Sequence, residues 1–85
     1  MEKVISGFEY RNNTNSFFQN KKGTLLRTYT NGSGEKVKRR SLIMIIEKMQ
    51  KVRLGGLIHV NRFYVQDIET KVEIGGVNAS DICLD

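Results

Sequence analysis

Short apolar runs separated by polar turns predict a chain that is mostly β-strand. The first run extends from Val4 to Tyr10, and Phe17-Phe18 forms a second, shorter one. Residues 11–16 lie between them and are rich in side chains that hydrogen-bond their own backbone, which is typical of a turn or loop. The pattern predicts a strand in each apolar run.

A hairpin is the clearest local pattern. Residues 24–30 are rich in β-branched and aromatic side chains, and Asn31-Gly32 opens the reversal that ends at Gly34. An Asn-Gly step readily adopts the positive φ angles of a tight turn. Residues 35–40 are therefore expected to return as the partner strand. Because Val37 is its only apolar residue, that strand should face solvent, and its charges should prevent edge-to-edge pairing.

The periodicity changes at Ser41. Leu42, Ile45, Ile46 and Met49 follow the spacing i, i+3, i+4 and i+7, which places them on one face of a helix. Ser41 is suited to cap its first turn. The β-branched isoleucines favour a strand in the same segment, but the spacing predicts a short helix with a buried face.

The C-terminal half returns to strand patterns. Residues 57–68 are expected to be mostly extended, Lys71–Ile74 alternates as a half-buried strand, Gly75-Gly76 suggests a hairpin turn, and Val77–Leu84 suggests a closing strand. The expected fold is mostly β with one short helix packed on the sheet, an α+β class. Residues 1–85 are expected to form a single small domain.

Charge is concentrated in the middle of the chain. The net charge is +5, yet residues 21–53 hold ten basic and two acidic residues, whereas residues 54–85 hold two basic and five acidic ones. The densest basic run contains Lys36, Lys38, Arg39 and Arg40. A focused positive field attracts polyanions, so nucleic acid is the favoured partner. A charged surface that only confers solubility is the alternative.

Few residues are suited to catalysis or metal binding. With one cysteine, Cys83, and one histidine, His59, the chain offers neither an internal disulfide nor the ligands of a usual zinc site. We expect no enzymatic activity and no cofactor. The single cysteine fits a reducing compartment, and the apolar run Leu42–Ile46 is too short to span a bilayer, so a cytoplasmic protein is expected.

Asn61 and Arg62 are candidate base-reading residues, because both side chains can make bidentate contacts to base edges. Tyr29, Phe63 and Tyr64 are candidates for stacking on unpaired bases. For Phe63 or Tyr64, whichever faces inward, burial in the core is the simpler interpretation.

Residues 23–74 resemble the LytTR DNA-binding domain in the order of their features. The similarity rests on the hairpin Thr24–Arg40, the segment Ser41–Met49 as the helix, and the stretch Val60–Ile68, in which Arg62 and Tyr64 are among the best matches. The sequence departs from the family pattern in three places. Gln66-Asp67 replaces the Val-Asn pair that often follows the aliphatic position of the family. Asn61 stands where the family usually has histidine, and residues 79–81 lack the arginine of its C-terminal Ser-Arg element.

The resemblance implies sequence-specific binding of duplex DNA by a transcription regulator. It implies that Arg62 reads bases and that Lys22 and Thr24 lie in a first contact loop. Lys38, Arg39 and Arg40 would contact the phosphate backbone, which supplies affinity but little sequence information.

Two further partners are left open by the sequence. A small accessory or inhibitor protein could use the same basic hairpin to bind an acidic protein partner. A chain of 85 residues buries a thin core, so association into a homodimer would add to its stability.

Overall fold

Most residues in regular secondary structure belong to β-strands. A computed structural model describes the backbone of residues 3–53 and 56–85 and the side chains of residues 4–49 and 61–85. In chain order the elements are β1 (Lys3–Val4), α1 (Gly7–Asn12), α2 (Asn15–Phe18), β2 (Lys22–Leu25), β3 (Tyr29–Thr30), β4 (Lys36–Val37), β5 (Leu42–Arg53), β6 (Gly56–Asp67), β7 (Glu73–Asn78), a 3-10 turn (Ala79–Asp81) and β8 (Ile82–Leu84).

Six of the described strands form one antiparallel sheet in the order β1-β8-β2-β5-β6-β7, and β3 pairs with β4 as a separate two-stranded hairpin. β5 and β6 are the longest strands, with twelve residues each. β8 lies between β1 and β2 and pairs with both. The prediction of a mostly β fold is confirmed.

One face of the sheet carries the core, and α1 and α2 pack against that face. Ile43 and Ile45 of β5 and Phe63 of β6 are fully buried there. The rings of Tyr10 from α1 and Phe18 from α2 meet the Phe63 ring edge-on, with centroids 5.1 and 4.9 Å away. This aromatic cluster joins both helices to the centre of the sheet.

The helix predicted for residues 41–49 is wrong, because this segment forms strand β5. β5 pairs with β2 on one side and with β6 on the other, which satisfies its backbone in the extended form. Its burial alternates, since Ile43 and Ile45 are buried whereas Leu42 is 59% exposed. Ser41 therefore caps no helix. The helix that supported the LytTR resemblance is absent from this segment.

The strand predicted for Val4–Tyr10 is also wrong beyond Val4, where the chain turns into α1. Ser6 and Glu9 form a capping box. The Glu9 amide donates to Ser6 Oγ at 3.1 Å, and the Ser6 amide donates to the Glu9 carboxylate at 3.5 Å. These bonds satisfy amides that lack partners within the first turn, and Tyr10 is thereby buried.

The second apolar run, predicted as a strand, is helix α2. Thr14 begins it, since its Oγ1 accepts from the Phe17 amide at 3.2 Å. Phe18 is fully buried, whereas Phe17 is 45% exposed. The polar residues 11–16, predicted as a loop, thus supply the end of α1 and the start of α2.

The reversal at residues 31–34 is confirmed, although its strands are shorter than predicted. Tyr29 pairs with Val37 across β3 and β4, while the predicted first strand of the hairpin breaks after Leu25. The positive φ angle occurs at Gly34, at +83°. Asn31 contributes through its side chain, whose Oδ1 accepts from the Glu35 amide at 2.9 Å.

Two C-terminal predictions fail in detail. Gly75 and Gly76 lie inside β7 and make no hairpin turn, although Gly76 has a φ of +75°. The predicted closing strand Val77–Leu84 is interrupted by the 3-10 turn. Its last part, β8, crosses to the far side of the sheet.

Adjacent residues in β5 test the assignment of its faces. We expect Ile43→Ala to lower the free energy of unfolding by about 2–5 kcal/mol, the usual loss for a large-to-small change in a core. Leu42→Ala, which the predicted helix had placed in the core, should lower it by less than about 0.5 kcal/mol. Urea unfolding of both variants measures the difference, and equal losses would contradict the strand.

Candidate nucleic-acid interface

The β3–β4 hairpin is fastened to the body of the domain by polar contacts. The Tyr29 hydroxyl donates to the Asp81 carboxylate and accepts from the Asn78 amide at 3.1 Å. Burial, and secondly the bond to Asp81, raise the pKa of Tyr29. Asn31 Nδ2 donates to the Glu73 carbonyl at 3.2 Å. These hydrogen bonds therefore fix the position of the hairpin relative to the main sheet.

The turn that follows β4 is held by its backbone. The Arg40 amide donates to the Leu25 carbonyl at 2.7 Å, and the Arg39 amide donates to Thr28 Oγ1 at 3.0 Å. Arg40 has a φ of +78°, a conformation that non-glycine residues seldom adopt. With the backbone engaged in this way, the side chains of the turn extend into solvent.

Five exposed basic side chains define what we term the basic hairpin surface. They come from β4, from the turn after it and from the loop between β2 and β3, and they are Arg27, Lys36, Lys38, Arg39 and Arg40. In the part of the chain that the structure describes, none of them has a carboxylate within 4 Å. Exposed acidic residues Glu35 and Glu69 lie in the same region, and Glu69 lines a shallow cleft of about 420 Å³ beside Arg39.

Lys22 and Thr24 do not lie in a contact loop as predicted. They belong to β2, inside the sheet, where they pair with Met44 and Leu42 of β5. Gly23 between them is buried, and a Cβ there would lie 2.5 Å from the Cys83 carbonyl oxygen. Lys22 is exposed and Thr24 half-buried, so β2 can offer a charge but no projecting loop.

Asn61 and Arg62 lie on β6, away from the basic hairpin surface. The amide of Ile68, which directly follows the last residue of β6, donates to the Leu42 carbonyl next to the basic turn. Ile68 is six residue steps from Arg62, which at about 3.3 Å per residue in a strand is about 20 Å. The structure therefore brings the phosphate-contact candidates together but separates them from the base-reading pair.

Arg62 is exposed, and its Nη1 donates to the Gly76 carbonyl at 3.2 Å. Among the residues that the structure describes, Arg62 and Asp67 form no ion pair with each other. Asp67 is buried, and its Oδ1 instead accepts from the amides of Glu69 and Thr70 at 2.9 and 3.1 Å. Of the aromatic candidates, Phe63 faces the core.

Sequence reasoning missed Arg27 as part of the basic hairpin surface, and it missed the helix on which Arg11 lies. Arg27 was counted in the charged segment, but its place beside the hairpin became visible only when β2 was seen to end at Leu25. Arg11 lies on α1, where the sequence suggested a loop. The Ser6 and Glu9 spacing, typical of a capping box, was the signal that would have placed Arg11 on a helix.

Lys48 contributes to the charge of the sequence but not to an exposed surface, since it is 7% exposed. Its Nζ donates to the carbonyls of Tyr10 at 2.6 Å and Asn13 at 2.9 Å, and lies 4.5 Å from the centre of the Tyr10 ring. Burial lowers the pKa of the Lys48 ammonium group. These contacts join the end of α1 to β5, which is a structural role.

The described residues offer no metal-binding group of three or more His, Cys, Asp or Glu side chains. Over the same residues, neither α1 nor α2 has the length or apolar composition to cross a membrane. Comparison of the chain with known protein families, with curated proteins and with solved structures yields no significant match. Functional inference therefore rests on the geometry of the chain itself.

The buried ammonium group of Lys48 predicts a pH-dependent stability. Since its folded pKa lies below the ordinary 10.5, the unfolded state binds more protons between those two values, and stability rises with pH there. We therefore expect the unfolding free energy of wild type minus that of Lys48→Met to increase with pH, by at most about 1.4 kcal/mol per pH unit.

Urea unfolding at a series of pH values measures this difference. The series should stop at pH 10. Above that value, the raised pKa values of Tyr10 and Tyr29 make stability fall as the pH rises, because the ordinary tyrosine pKa is 10.0. Lys36→Met, at an exposed site, controls for the substitution. A difference that stays constant with pH would show that burial does not lower the pKa of Lys48.

Proposed function

We propose that this domain binds nucleic acid, with duplex DNA as the target, through the basic hairpin surface. The observation that carries the proposal is the presence of five exposed basic side chains on one fastened hairpin and its flanks, none paired to a carboxylate in the described part of the chain. Such side chains can contact phosphates without first breaking an ion pair.

Duplex DNA fits the shape of the hairpin. The major groove, about 12 Å wide, admits a two-stranded β-ribbon, and β3 with β4 is such a ribbon outside the main sheet. The hydrogen bonds that hold Tyr29, Asn31 and Arg40 leave less backbone freedom to lose on binding, which favours affinity.

Sequence-specific binding by a transcription regulator, with Arg62 as a base reader, is the finer proposal. It draws on the resemblance to LytTR domains and on the ability of a guanidinium group to contact guanine in a bidentate manner. Arg62 and the basic turn, about 20 Å apart, would then contact one duplex at points about six base pairs apart, given a rise of about 3.4 Å per base pair. Protein and DNA would meet along the length of β6.

The charge of the basic hairpin surface predicts the salt dependence of binding. Each neutralised phosphate contributes about −0.9 to the slope of log affinity against log salt concentration. Lys38→Gln with Arg39→Gln should therefore weaken binding to all duplex sequences alike and make the slope shallower by about 1.8. Fluorescence anisotropy with random-sequence duplex over a salt series measures both quantities.

A double variant of equal charge change controls for the total charge of the protein. Lys21→Gln with Lys71→Gln also removes two positive charges but leaves the basic hairpin surface intact, and it should change the slope less. If both double variants behave alike, binding is not localised on the hairpin. If wild type shows no binding to duplex at low salt, the proposal fails and an acidic protein becomes the partner to seek.

A further inference from the structure

The sheet face opposite the core, which we term the open face, is not covered by any helix or hairpin that the structure describes. The other face is covered by α1, α2 and the β3–β4 hairpin, which bury Tyr10, Phe18 and Val37 in the core. The Cα atoms span 38 × 33 × 18 Å, and the short dimension fits one sheet with a single covering layer.

Apolar side chains lie in a row across the open face. Residues paired directly across strands point to the same side of a sheet. The register of β1, β8, β2 and β5 aligns four residues in this way, and they are Val4, Cys83, Thr24 and Leu42. Leu42 is 59% exposed and Val4 is 38% exposed. Because the solvated face of an antiparallel sheet is usually polar, the row indicates a surface that another molecule covers.

A second row, two residues further along the strands, has opposite charges at its two ends. Lys22 of β2 pairs with Met44, and Met44 pairs with Gln66. Gln66 in turn pairs with Glu73 of β7. Lys22 and Glu73 are both exposed. Three strand spacings of about 4.8 Å separate them, which is about 14 Å.

We propose that two copies of this chain associate through their open faces, related by a two-fold axis that runs parallel to the strands between β5 and β6. Rotation about this axis exchanges the two sides of the sheet and keeps each residue at its level along the strands. Lys22 of each copy then lies opposite the partner's Glu73. Leu42 lies opposite the partner's Ile68, since Leu42 and Ile68 are neighbours within each chain. The contacts are apolar at the centre and charged at the rim, as in known interfaces.

The other charged side chains of the open face fit the same rotation. Glu47 pairs with Tyr64 across β5 and β6, so it lies opposite the partner's Tyr64 and beside the partner's Arg62. Glu69 approaches the basic turn of the other copy and offsets the repulsion between the two basic turns. An isologous interface requires a surface that complements itself in this way. A polyanion would instead be repelled by the carboxylates of the open face, which favours a second copy over nucleic acid.

The size of the open face predicts a dimer that dissociates on dilution. Six strands at about 4.8 Å span about 29 Å, and six residues along β5 span about 20 Å. The projected area of about 580 Å² is smaller than the about 800 Å² per partner of a standard interface. We therefore expect the average mass to rise with protein concentration from 9.7 kDa toward twice that value.

Sedimentation equilibrium without nucleic acid tests the interface. Leu42→Gln should raise the dissociation constant of the dimer by about 25-fold or more, because two copies of the side chain leave the interface and each central anchor is worth about 5-fold or more. Phe8→Gln is the matched control and should leave the constant unchanged, since Phe8 is 69% exposed but lies on α1, on the other side of the sheet. Both variants should keep wild-type stability in dilute solution, where monomers predominate.

An exchange of charges tests the orientation of the two copies. Lys22→Glu and Glu73→Lys should each weaken the homodimer by about 10-fold at low salt, because each places like charges opposite one another. An equimolar mixture of the two variants should dimerise like wild type, since every rim contact then joins opposite charges. A folding defect in either variant could not produce this recovery.

A wild type that keeps its monomer mass at every concentration would overturn the proposal. A dimer that Leu42→Gln leaves intact would do the same, as would a mixture no more dimeric than the two charge variants apart. If wild type is monomeric and Leu42→Gln weakens its binding to duplex DNA, the open face contacts nucleic acid and not a second copy. Dimerisation without duplex binding would support the interface and count only against the proposed function.

Discussion

The edge-on contacts of Phe63 with Tyr10 and Phe18 are the interaction on which the rest of the structure depends. Helices α1 and α2, of six and four residues, are far too short to be stable in isolation. They persist because each contributes an aromatic ring to one buried cluster, and Lys48 joins the end of α1 to β5 through its bonds to the Tyr10 and Asn13 carbonyls. Once α1 is fixed, Gly7 and the guanidinium group of Arg11 are brought close to Asn61. The approach of α1 to Asn61 of β6 is therefore a consequence of how the core is packed.

The sequence predicts the class of fold and the exposed charge well, and the central strand poorly. The misleading helical spacing has an identifiable cause in β5. Its pairing with β6 shifts register between Ile45 and Glu47, so the inward-facing positions are Ile43, Ile45 and then Lys48. A bulge of this kind interrupts the two-residue period. Residues 42–53 form a strand because they pair with β2 and β6. Both partners lie outside the segment, so the spacing of its own apolar residues could not reveal the strand.

The candidate site residues also differ in how well the sequence predicts their surroundings. The exposure of Lys36, Lys38 and Arg39 follows from their density in a segment with little apolar character, and composition is enough to predict it. The approach of Gly7 to the Asn61 side chain has no counterpart in the sequence, which predicts Asn61 only as a base-reading residue in an extended segment. Its environment depends on the approach of Gly7 from a helix that was mistaken for a strand. Contacts between elements that are distant in sequence become visible only once the fold is known.

The position of β8 has a consequence for the order in which the domain forms. β8 is inserted between β1 and β2, so Lys3 and Val4 have no sheet partner until residues 82–84 have emerged from the ribosome. The nascent chain can complete the hairpin of β5 and β6 early, because their pairing is local. The first strand must wait for closure of a loop of nearly the whole chain, and such non-local pairing slows folding. The sheet is thus closed by β8, and the native topology is first attainable once residues 82–84 are free to pair with β1 and β2.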